Sequence, residues 1–322
     1  MKILITGGAG FIGSHLAEAL LNQGHEVVVV DNLSTGRKSN IKHLINNDRF
    51  TVHFNTILNR ALMKDLIFQC DEIYHLAAPV GVKWIIDHPI QTILENVRGM
   101  DIILELADKH KKKILIASTS EVYGKHLEHT LCEDDNRVMG SVRNHRWAYA
   151  NTKTMDEFLA LAYYKENKSP VVIVRLFNTV GPRQTGQYGM VVPTFVKKAL
   201  NGEPLPVFGD GTQSRSFTFV QDVIKGMVDL MDEPRAYGDI FNIGNGEEIT
   251  IEELAKLVIK KTKSKSDLTY IPYIKAYGEG FEDMQRRTPN ITKIRELTGY
   301  KPTINIDGIL DQVIAHYKNG GE

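Results

Sequence analysis

Tyr149 and Lys153 are the first residues whose types and spacing could do chemistry. They stand four residues apart at the start of a stretch in which Phe158, Leu161 and Ala162 continue a helical pattern of apolar positions. This spacing puts the tyrosine hydroxyl and the lysine ammonium on one helix face. The cation favours the phenolate, so we expect the tyrosine pKa to fall from about 10 toward a value that suits a general base. Taken alone, a structural tyrosine with a surface lysine is the more common explanation of such a pair.

A second polar cluster, residues 118–124 with the sequence STSEVYG, follows an apolar run at residues 113–117 that predicts a strand. Ligands of doubly wound folds bind outside the carboxyl ends of such strands. Thr119, Ser120 and Glu121 would therefore bring two hydroxyls and a carboxylate to a ligand site. A polar turn capped by serine or threonine would explain the cluster alone, but the two motifs in this order favour an active site.

A glycine-rich turn, TGGAGFIG at residues 6–13, lies between a predicted strand at residues 2–5 and a predicted helix. Its glycines, Gly7, Gly10 and Gly13, would let the backbone approach a pyrophosphate closely. The N-terminus of the helix would offer free N–H groups and the positive end of its dipole to the same group. A plain tight turn is the alternative, but the flanking strand and helix favour dinucleotide binding.

The acid at the end of the second predicted strand indicates which dinucleotide binds. Residues 27–30 form a continuous apolar run, typical of a strand buried on both faces, and Asp31 follows them. A carboxylate here would accept hydrogen bonds from the adenosine ribose and would repel a 2′-phosphate. The sequence therefore favours NAD over NADP, although Arg37 and Lys38 lie nearby.

Predicted strands and helices alternate along the first half of the chain. Apolar runs at residues 72–77, 113–117 and 171–176 each follow a helix-patterned stretch, which is typical of a doubly wound parallel sheet. We therefore predict an α/β fold, with a Rossmann-type doubly wound parallel sheet and a smaller C-terminal α/β substrate lobe. The expected division assigns residues 1–178 and about 216–245 to the NAD-binding domain, and residues 179–215 and 246–322 to the substrate lobe.

Taken in order, the motifs resemble those of the extended short-chain dehydrogenase/reductase family that modifies nucleotide sugars. The resemblance covers nearly the whole chain, and it implies a tightly held NAD that oxidises a sugar hydroxyl at C4. The motifs that carry it are the TGxxGFIG turn, Asp31, the LAA sequence at residues 76–78, Asn96, the hydroxyl of Thr119, the YxxxK pair and the GDGTQxR loop at residues 209–215.

The resemblance also implies residue roles toward NAD and a UDP-sugar. Tyr149 would take the C4 hydroxyl proton as the hydride moves to the nicotinamide, Lys153 would tune Tyr149 and bind the nicotinamide ribose, and Thr119 would hold the C4 oxygen. Asn178 and Arg215 would grip the diphosphate. The implied cofactor contacts are Gly7, Gly10, Phe11, Ile12, Gly13, Asp31, Asn32, Ala77, Ala78, Asn96, Tyr149 and Lys153. The implied substrate contacts are Asn178, Thr185, Val192, Arg215, Arg286 and Arg287.

Three reactions can follow oxidation at C4. Return of the hydride to the other face describes a 4-epimerase of UDP-glucuronate or UDP-glucose, loss of the 6-hydroxyl describes a 4,6-dehydratase, and a sugar with a C6 carboxylate becomes a β-keto acid that loses CO2 readily. In relatives, simple epimerases usually have a small residue where Glu121 stands, and common dehydratases have an aspartate at the Ser120 position. Residues 118–124 look most like UDP-xylose synthases and the decarboxylase domain of the aminoarabinose lipid-modification enzyme.

Residues 277–289 also resemble that aminoarabinose enzyme, whose arginine aligns with Arg287 and is thought to act near the sugar carboxylate or as a proton donor. Diphosphate binding by Arg286 or Arg287 is the alternative, because guanidinium matches phosphate well. Residues 144–149 and 184–190 instead resemble bacterial nucleotide-sugar epimerases. The sequence thus favours an enzyme that decarboxylates UDP-glucuronate. The 4-epimerase, the 4,6-dehydratase and a dinucleotide-binding sensor without turnover remain alternatives.

Composition limits the partners and the compartment. The 322 residues carry 39 Lys+Arg and 39 Asp+Glu, a formal net charge of zero that argues against nucleic acid or a membrane surface as the main partner. Cys70 and Cys132 lack metal-ligand spacing, so we expect no metal site and a reducing cytoplasm. No stretch approaches the length of a membrane span. The family resemblance implies a homodimer through helices around residues 96–108 and 149–164.

Overall fold

The computed structural model describes residues 1–126, 130–186, 189–277 and 284–321. The strands are β1 (Lys2–Thr6), β2 (Glu26–Val30), β3 (Phe50–His53), β4 (Glu72–His75), β5 (Lys113–Thr119), β6 (Val171–Leu176), β7 (Thr179–Val180), β8 (Leu205–Phe208), β9 (Ser214–Ser216), β10 (Thr218–Phe219), β11 (Asp239–Ile243), β12 (Glu248–Thr250) and β13 (Leu268–Ile271). The helices are α1 (Phe11–Asn22), α2 (Arg60–Gln69), α3 (Val82–Asp87), α4 (Pro89–Lys109), α5 (Arg146–Asn167), α6 (Val191–Leu200), α7 (Val220–Met231), α8 (Ile251–Thr262), α9 (Tyr273–Tyr277), α10 (Thr292–Thr298) and α11 (Ile306–Lys318).

A seven-stranded parallel sheet with the order β11-β6-β5-β4-β1-β2-β3 forms the centre of the protein. The chain winds outward from β1 in one direction and from β4 in the other, so the order reverses between these two strands. Ligands bind at such a reversal, outside the carboxyl ends of the strands. The structure confirms the predicted α/β fold with a doubly wound parallel sheet.

Helices cover both faces of this sheet, which explains why its strands are apolar almost throughout. On one face α1 and α7 bury side chains such as Leu16 and Met227. On the other face α2, α4 and α5 bury side chains such as Met63, Ile103 and Ala160. The two cores fix the sheet, and with it the ends of the strands that must hold a ligand.

A smaller group of elements packs beyond the strand ends. Helices α6, α8 and α11 share a separate core with β8, to which Phe195, Leu254 and Val313 contribute. The chain then returns to the large sheet, because α7 packs on α1 and β11 pairs with β6. Among the described residues, no helix combines the length and the apolar character that crossing a membrane requires.

Candidate active site

A cavity of about 670 Å³ opens at the carboxyl ends of the strands and reaches the residues of α6, β8 and α8. Most of the predicted site residues line it, so positions far apart in the sequence meet here. These lining residues are Gly7, Gly10, Phe11, Ile12, Gly13, Asp31, Asn32, Ala77, Ala78, Thr119, Ser120, Glu121, Tyr149, Asn178, Thr185, Val192, Arg215 and Arg287. Within the described part of the chain, Asn96, Lys153 and Arg286 are the predicted site residues that do not line it.

The turn between β1 and α1 is too tight for side chains. Gly7 has a φ of +74°, and a Cβ on it would lie 2.9 Å from the backbone nitrogen of Ala77. A Cβ on Gly13 would lie 2.3 Å from the carbonyl oxygen of Gly7. The bare backbone and the N-terminus of α1 at the cavity wall therefore fit a bound pyrophosphate, as the sequence predicts.

Asp31 lines this cavity at the end of β2 and is buried. Its carboxylate accepts hydrogen bonds from the backbone N–H groups of Ala9 at 2.9 Å and Leu33 at 2.8 Å. Burial raises the pKa of Asp31, and these backbone hydrogen bonds oppose that rise. The Arg37 guanidinium donates to the Thr185 hydroxyl at 3.0 Å, so it joins the segment after β2 to the loop that follows β7. The Asp31 carboxylate and the Arg37 guanidinium, which is paired with Thr185, together fit NAD.

Tyr149 and Lys153 lie on α5 as predicted, but their electrostatics differ from the expectation. Lys153 Nζ donates to Asp156 Oδ2 at 3.1 Å, with both side chains almost completely buried. Burial, followed by the negative charges of Glu121 and Asp156, raises the pKa of Tyr149 above its ordinary value. The expected fall of the tyrosine pKa is thus not found, because burial is the largest cause and the two carboxylates act in the same direction.

The hydroxyl cluster lies at the end of β5 and in the short 3₁₀ turn after it. Thr119 Oγ1 accepts a hydrogen bond from the Glu121 backbone N–H at 3.2 Å and so caps this turn. Ser120 lies in the turn and is buried. Thr119, Ser120 and Glu121 consequently face the same cavity as Tyr149, as the sequence predicts.

Glu121 lies between two arginines at this end of the cavity. Arg287 Nη1 lies 3.2 Å from Glu121 Oε1, and Arg287 Nη2 donates to Asn178 Oδ1. Arg146 Nη2 lies 3.7 Å from the same oxygen of Glu121. Arg146 was not predicted as a site residue, although its position one turn before Tyr149 on α5 was a usable signal. The result is a compact set of charges that joins α5, the turn after β5 and the C-terminal part of the chain.

The three predicted residues outside the cavity lining have other contacts. Asn96 donates from α4 to Thr152 Oγ1 at 3.0 Å, and its contact with the cofactor stays a prediction. Lys153 lies beneath the lining beside Asp156. The Arg286 side chain is 42% exposed and pairs with Glu248 at 2.6 Å, and its contact with the substrate stays a prediction. Residues 187–188 and 278–283 of the predicted loops lie outside the described residues.

A buried polar network fixes α5 and the Arg287 segment against the sheet. Glu157 of α5 accepts hydrogen bonds from Ser118 and, through both carboxylate oxygens, from Arg175. Arg175 also donates to the Glu133 carbonyl oxygen at 2.8 Å. Residues 131 and 288–290 exchange backbone hydrogen bonds beside this network, which places Arg287. These contacts span long sequence separations, so sequence patterns did not reveal them.

The close backbone packing around Gly7 and Gly13 makes retention of the cofactor sensitive to an added side chain in this turn. We expect Gly13→Ala to lose bound NAD, because the new Cβ would strike the Gly7 carbonyl and displace the pyrophosphate turn. Gly246→Ala is the matched control, since a Cβ there meets nothing within 4 Å. The measurement is the NAD released per protein chain after denaturation. Wild-type NAD content in Gly13→Ala would contradict this account of the turn.

Comparisons with known proteins agree with this geometry. The NAD dependent epimerase/dehydratase family matches residues 3–244. A UDP-N-acetyl-alpha-D-glucosaminuronate decarboxylase of Bacillus cytotoxicus is 41% identical over 318 residues, which cover 98% of each chain. UDP-glucuronic acid decarboxylase 1 of Danio rerio is 38% identical over 98% of this chain and 72% of its own length.

A solved structure is similar over the whole chain as well. The UDP-glucuronic acid 4-epimerase of Bacillus cereus, in complex with UDP-glucuronic acid and NAD, aligns with a TM-score of 0.89 and 32% identity. The alignment covers 99% of each chain. The glycine turn, the acid after β2 and these similarities agree with one another. This chain therefore belongs to the NAD dependent epimerase/dehydratase family, and its cofactor is NAD.

Proposed function

We propose that this chain decarboxylates a UDP-linked hexuronate after oxidation of the sugar at C4, with UDP-glucuronate as the first candidate substrate. The observation that carries the proposal is the contact of Arg287 with Glu121 in the cavity that Tyr149 lines. The identity of 41% and 38% to two hexuronate decarboxylases supports it. UDP-N-acetylglucosaminuronate is the second candidate, since it carries the same C6 carboxylate.

Tyr149 and Thr119 serve the oxidation at C4. Bound NAD supplies the hydride acceptor, and the resulting 4-keto hexuronate is a β-keto acid that loses CO2 readily. Tyr149 takes the proton of the C4 hydroxyl, and the Thr119 hydroxyl holds the C4 oxygen. As CO2 leaves, negative charge develops on that oxygen, where the two hydroxyls stabilise it as hydrogen-bond donors.

Arg287 is the residue that gives the site its preference for an acidic sugar. Its guanidinium is largely buried at the end of the cavity where Thr119 and Glu121 lie. A planar guanidinium matches a carboxylate in geometry as well as charge, so it orients the C6 carboxylate of the substrate. Glu121 and Asn178 hold Arg287 in place. Ser120 replaces the acid that a dehydratase of the common type uses, so dehydration is the less suitable reaction.

The rest of the cavity supports a nucleotide-sugar substrate. Arg215 on β9 and Asn178 after β6 line the side that faces the C-terminal elements, and they would contact the diphosphate. Thr185 and Val192 line the same side and would contact the substrate. We propose that residues 1–178 and about 216–245 hold NAD, and that residues 179–215 and 246–322 hold the UDP-sugar.

A 4-epimerase of UDP-glucuronate is the second candidate function. Its support is the solved epimerase in complex with UDP-glucuronic acid and NAD, which aligns over 99% of this chain. Such an enzyme returns the hydride to the opposite face of C4 and leaves C6 unchanged. The fate of the C6 carboxylate thus distinguishes the two candidates.

The experiment that tests the proposal incubates the purified protein with UDP-glucuronate or UDP-N-acetylglucosaminuronate and identifies the products by mass spectrometry. We expect a UDP-pentose or its 4-keto form, with C6 lost as CO2. UDP-galacturonate alone would mean that the epimerase is correct, and water loss from UDP-glucose or dTDP-glucose alone would mean a dehydratase. The matched variant is Tyr149→Phe, which should retain NAD and lose turnover.

Substitutions of the adjacent residues Arg286 and Arg287 form a matched pair that tests the role proposed for Arg287. We expect Arg287→Met to lower kcat/KM for the hexuronate by roughly a hundredfold, because a hydrogen bond to a charged group contributes about 1.5–3 kcal/mol. Arg286→Met should change it less than about fivefold, since an exposed ion pair contributes little. Steady-state kinetics with both variants provide the measurement. Equal losses in the two variants would remove Arg287 from its proposed role.

We also propose that the protein is a homodimer through one apolar face of α4 and α5. On α4 this face consists of exposed side chains at helical spacing, namely Ile90, Ile93, Leu94 and Val97. On α5, which packs against α4, it continues in Met155 and Phe158. A second copy of the chain would cover this face, since isolated soluble proteins rarely expose such a patch.

Two exposed phenylalanines test the dimer. Phe158 is 60% exposed on the proposed face, whereas Phe68 is 65% exposed at the end of α2, outside the residues that define it. We expect Phe158→Glu to shift the protein toward monomer in light scattering, because a buried charge is costly without a partner. Phe68→Glu should keep the wild-type mass. A monomeric wild type, or a Phe158→Glu dimer as stable as wild type, would contradict the proposed interface.

The two cysteines support a reducing compartment, and we propose that the protein acts in the cytoplasm. Cys70 and Cys132 are both free thiols in the structure. Burial raises the pKa of the Cys70 thiol to about 12, so it is an unreactive core residue.

A further inference from the structure

Glu248 is a carboxylate of β12 that the proposed reaction does not use, and it binds both chain neighbours of Arg287. Its Oε1 accepts a hydrogen bond from Arg286 Nε at 2.6 Å and another from the Thr288 hydroxyl. Arg286 and Thr288 stand directly before and after Arg287 in the sequence. One carboxylate oxygen thus holds the two positions that flank the arginine of the cavity.

The two hydrogen bonds to Glu248 differ in exposure. The Arg286 side chain is 42% exposed, so solvent screens this ion pair and it contributes little. Thr288 is only 2% exposed, and a hydroxyl buried to this extent is costly to leave without an acceptor. Burial raises the pKa of Glu248, but the hydrogen bonds from Arg286 and Thr288 outweigh burial and bring the pKa below its ordinary value. The carboxylate is therefore ionised at neutral pH, and the bond from Thr288 is the stronger restraint.

The backbone on either side of Arg287 is held by other segments of the chain. The Gln285 carbonyl oxygen accepts a hydrogen bond from the Ser214 backbone N–H of β9 at 2.9 Å. The Thr288 carbonyl oxygen accepts one from the Leu131 backbone N–H at 2.8 Å. Strand β9 pairs antiparallel with β12, so the strand that supplies the carboxylate lies beside this segment.

The direction of the Arg287 side chain follows from the directions of its neighbours. In an extended chain, adjacent side chains point to opposite sides and alternate side chains share a side. Arg286 and Thr288 both reach Glu248 on one side of the segment. Arg287 points to the other side, where its Nη1 lies 3.2 Å from Glu121 Oε1 at the cavity.

We propose that Glu248 is a positioning residue, which holds Arg286 and Thr288 on the outer side and thereby directs Arg287 into the cavity to recognise the sugar carboxylate. The inference rests on the role of Arg287 in the proposed function. Loss of Glu248 leaves the guanidinium charge in place and removes a restraint on its orientation. Selection for an acidic sugar then weakens although every group that contacts the substrate is still present.

A binding measurement tests the proposal without turnover. Calorimetry in a Tyr149→Phe background gives the dissociation constants of UDP-glucuronate and of UDP-glucose, which carries a hydroxymethyl group in place of the carboxylate. UDP-N-acetylglucosaminuronate and UDP-N-acetylglucosamine form a parallel pair. The dissociation constant of the neutral sugar nucleotide divided by that of the acidic one is the selectivity ratio. A general loss of nucleotide binding cancels in this ratio.

Three substitutions address the restraint on Arg287 and one serves as the control. We expect Glu248→Ala and Thr288→Val each to lower the selectivity ratio by roughly tenfold, a part of what loss of a charged hydrogen bond costs. Thr288→Ser keeps the hydroxyl and should restore the wild-type ratio. Glu247→Gln changes the exposed carboxylate next to Glu248 and should leave the ratio unchanged.

A double-mutant cycle shows whether Glu248 acts through Arg287. In an Arg287→Met background we expect Glu248→Ala to change the selectivity ratio by less than about twofold, because both substitutions remove one and the same interaction. A merely structural role would lower the melting temperature and leave the ratio unchanged in both backgrounds. A full tenfold loss in the Arg287→Met background would contradict action through Arg287.

The outcomes separate this inference from the proposed function. A wild-type ratio in folded Glu248→Ala and Thr288→Val would overturn the inference and leave the proposed function standing. If Glu248→Ala does not fold, equal ratios in Thr288→Val and Thr288→Ser would overturn it, and a lower ratio in Thr288→Val would support it. Failure to decarboxylate either UDP-hexuronate would refute the proposed function, whereas a ratio that depends on Glu248 only while Arg287 is present would still support the positioning role.

Discussion

The arrangement of the site depends on how Glu157 joins α5 to the ends of β5 and β6. Its carboxylate accepts hydrogen bonds from Ser118 at 2.5 Å and from two nitrogens of Arg175 at 2.9 and 2.8 Å. Removal of one partner from a buried ion pair costs about 3–5 kcal/mol of stability. This cost restrains α5 from moving along the sheet. Tyr149 and Lys153 precede Glu157 by whole turns of this helix, and they consequently stay opposite the hydroxyl cluster that follows Ser118.

Buried hydrogen bonds also connect the core beside β5 and β6 to the C-terminal part of the chain. Tyr123 donates to Asn242 Oδ1 at 2.7 Å, and Asn242 Nδ2 donates to the Leu131 carbonyl oxygen at 2.9 Å. Residue 131 pairs with the segment just after Arg287. The position of Arg287 is thus set by contacts to the sheet that carries the hydroxyl cluster. In the proposed reaction, the groups assigned to oxidation at C4 and to recognition at C6 are therefore held by one hydrogen-bonded network.

Local patterns were enough to predict the parts of this protein that depend on neighbours in sequence. Backbone geometry alone was enough to interpret the turn around Gly7 and Gly13, the acid at the end of β2 and the Tyr149–Lys153 spacing. The alternating apolar runs were enough to predict the parallel sheet. Contacts across the fold were not predictable in this way. Asn96 meets Thr152 on another helix, and Arg286 turns to Glu248 although Arg287, its neighbour, reaches Glu121. The upward shift of the Tyr149 pKa depends on burial and then on Glu121 and Asp156, and a spacing rule contains none of these.

The proposed reaction removes C6 of a UDP-hexuronate after oxidation of the sugar at C4. The most direct measurement follows an isotopic label placed at C6 of UDP-glucuronate, and of UDP-N-acetylglucosaminuronate in parallel, during turnover by the purified protein. We expect label to appear in CO2 in step with consumption of one of these substrates, and Tyr149→Phe to release none. Substrate consumption with the label retained in the sugar nucleotide would contradict decarboxylation.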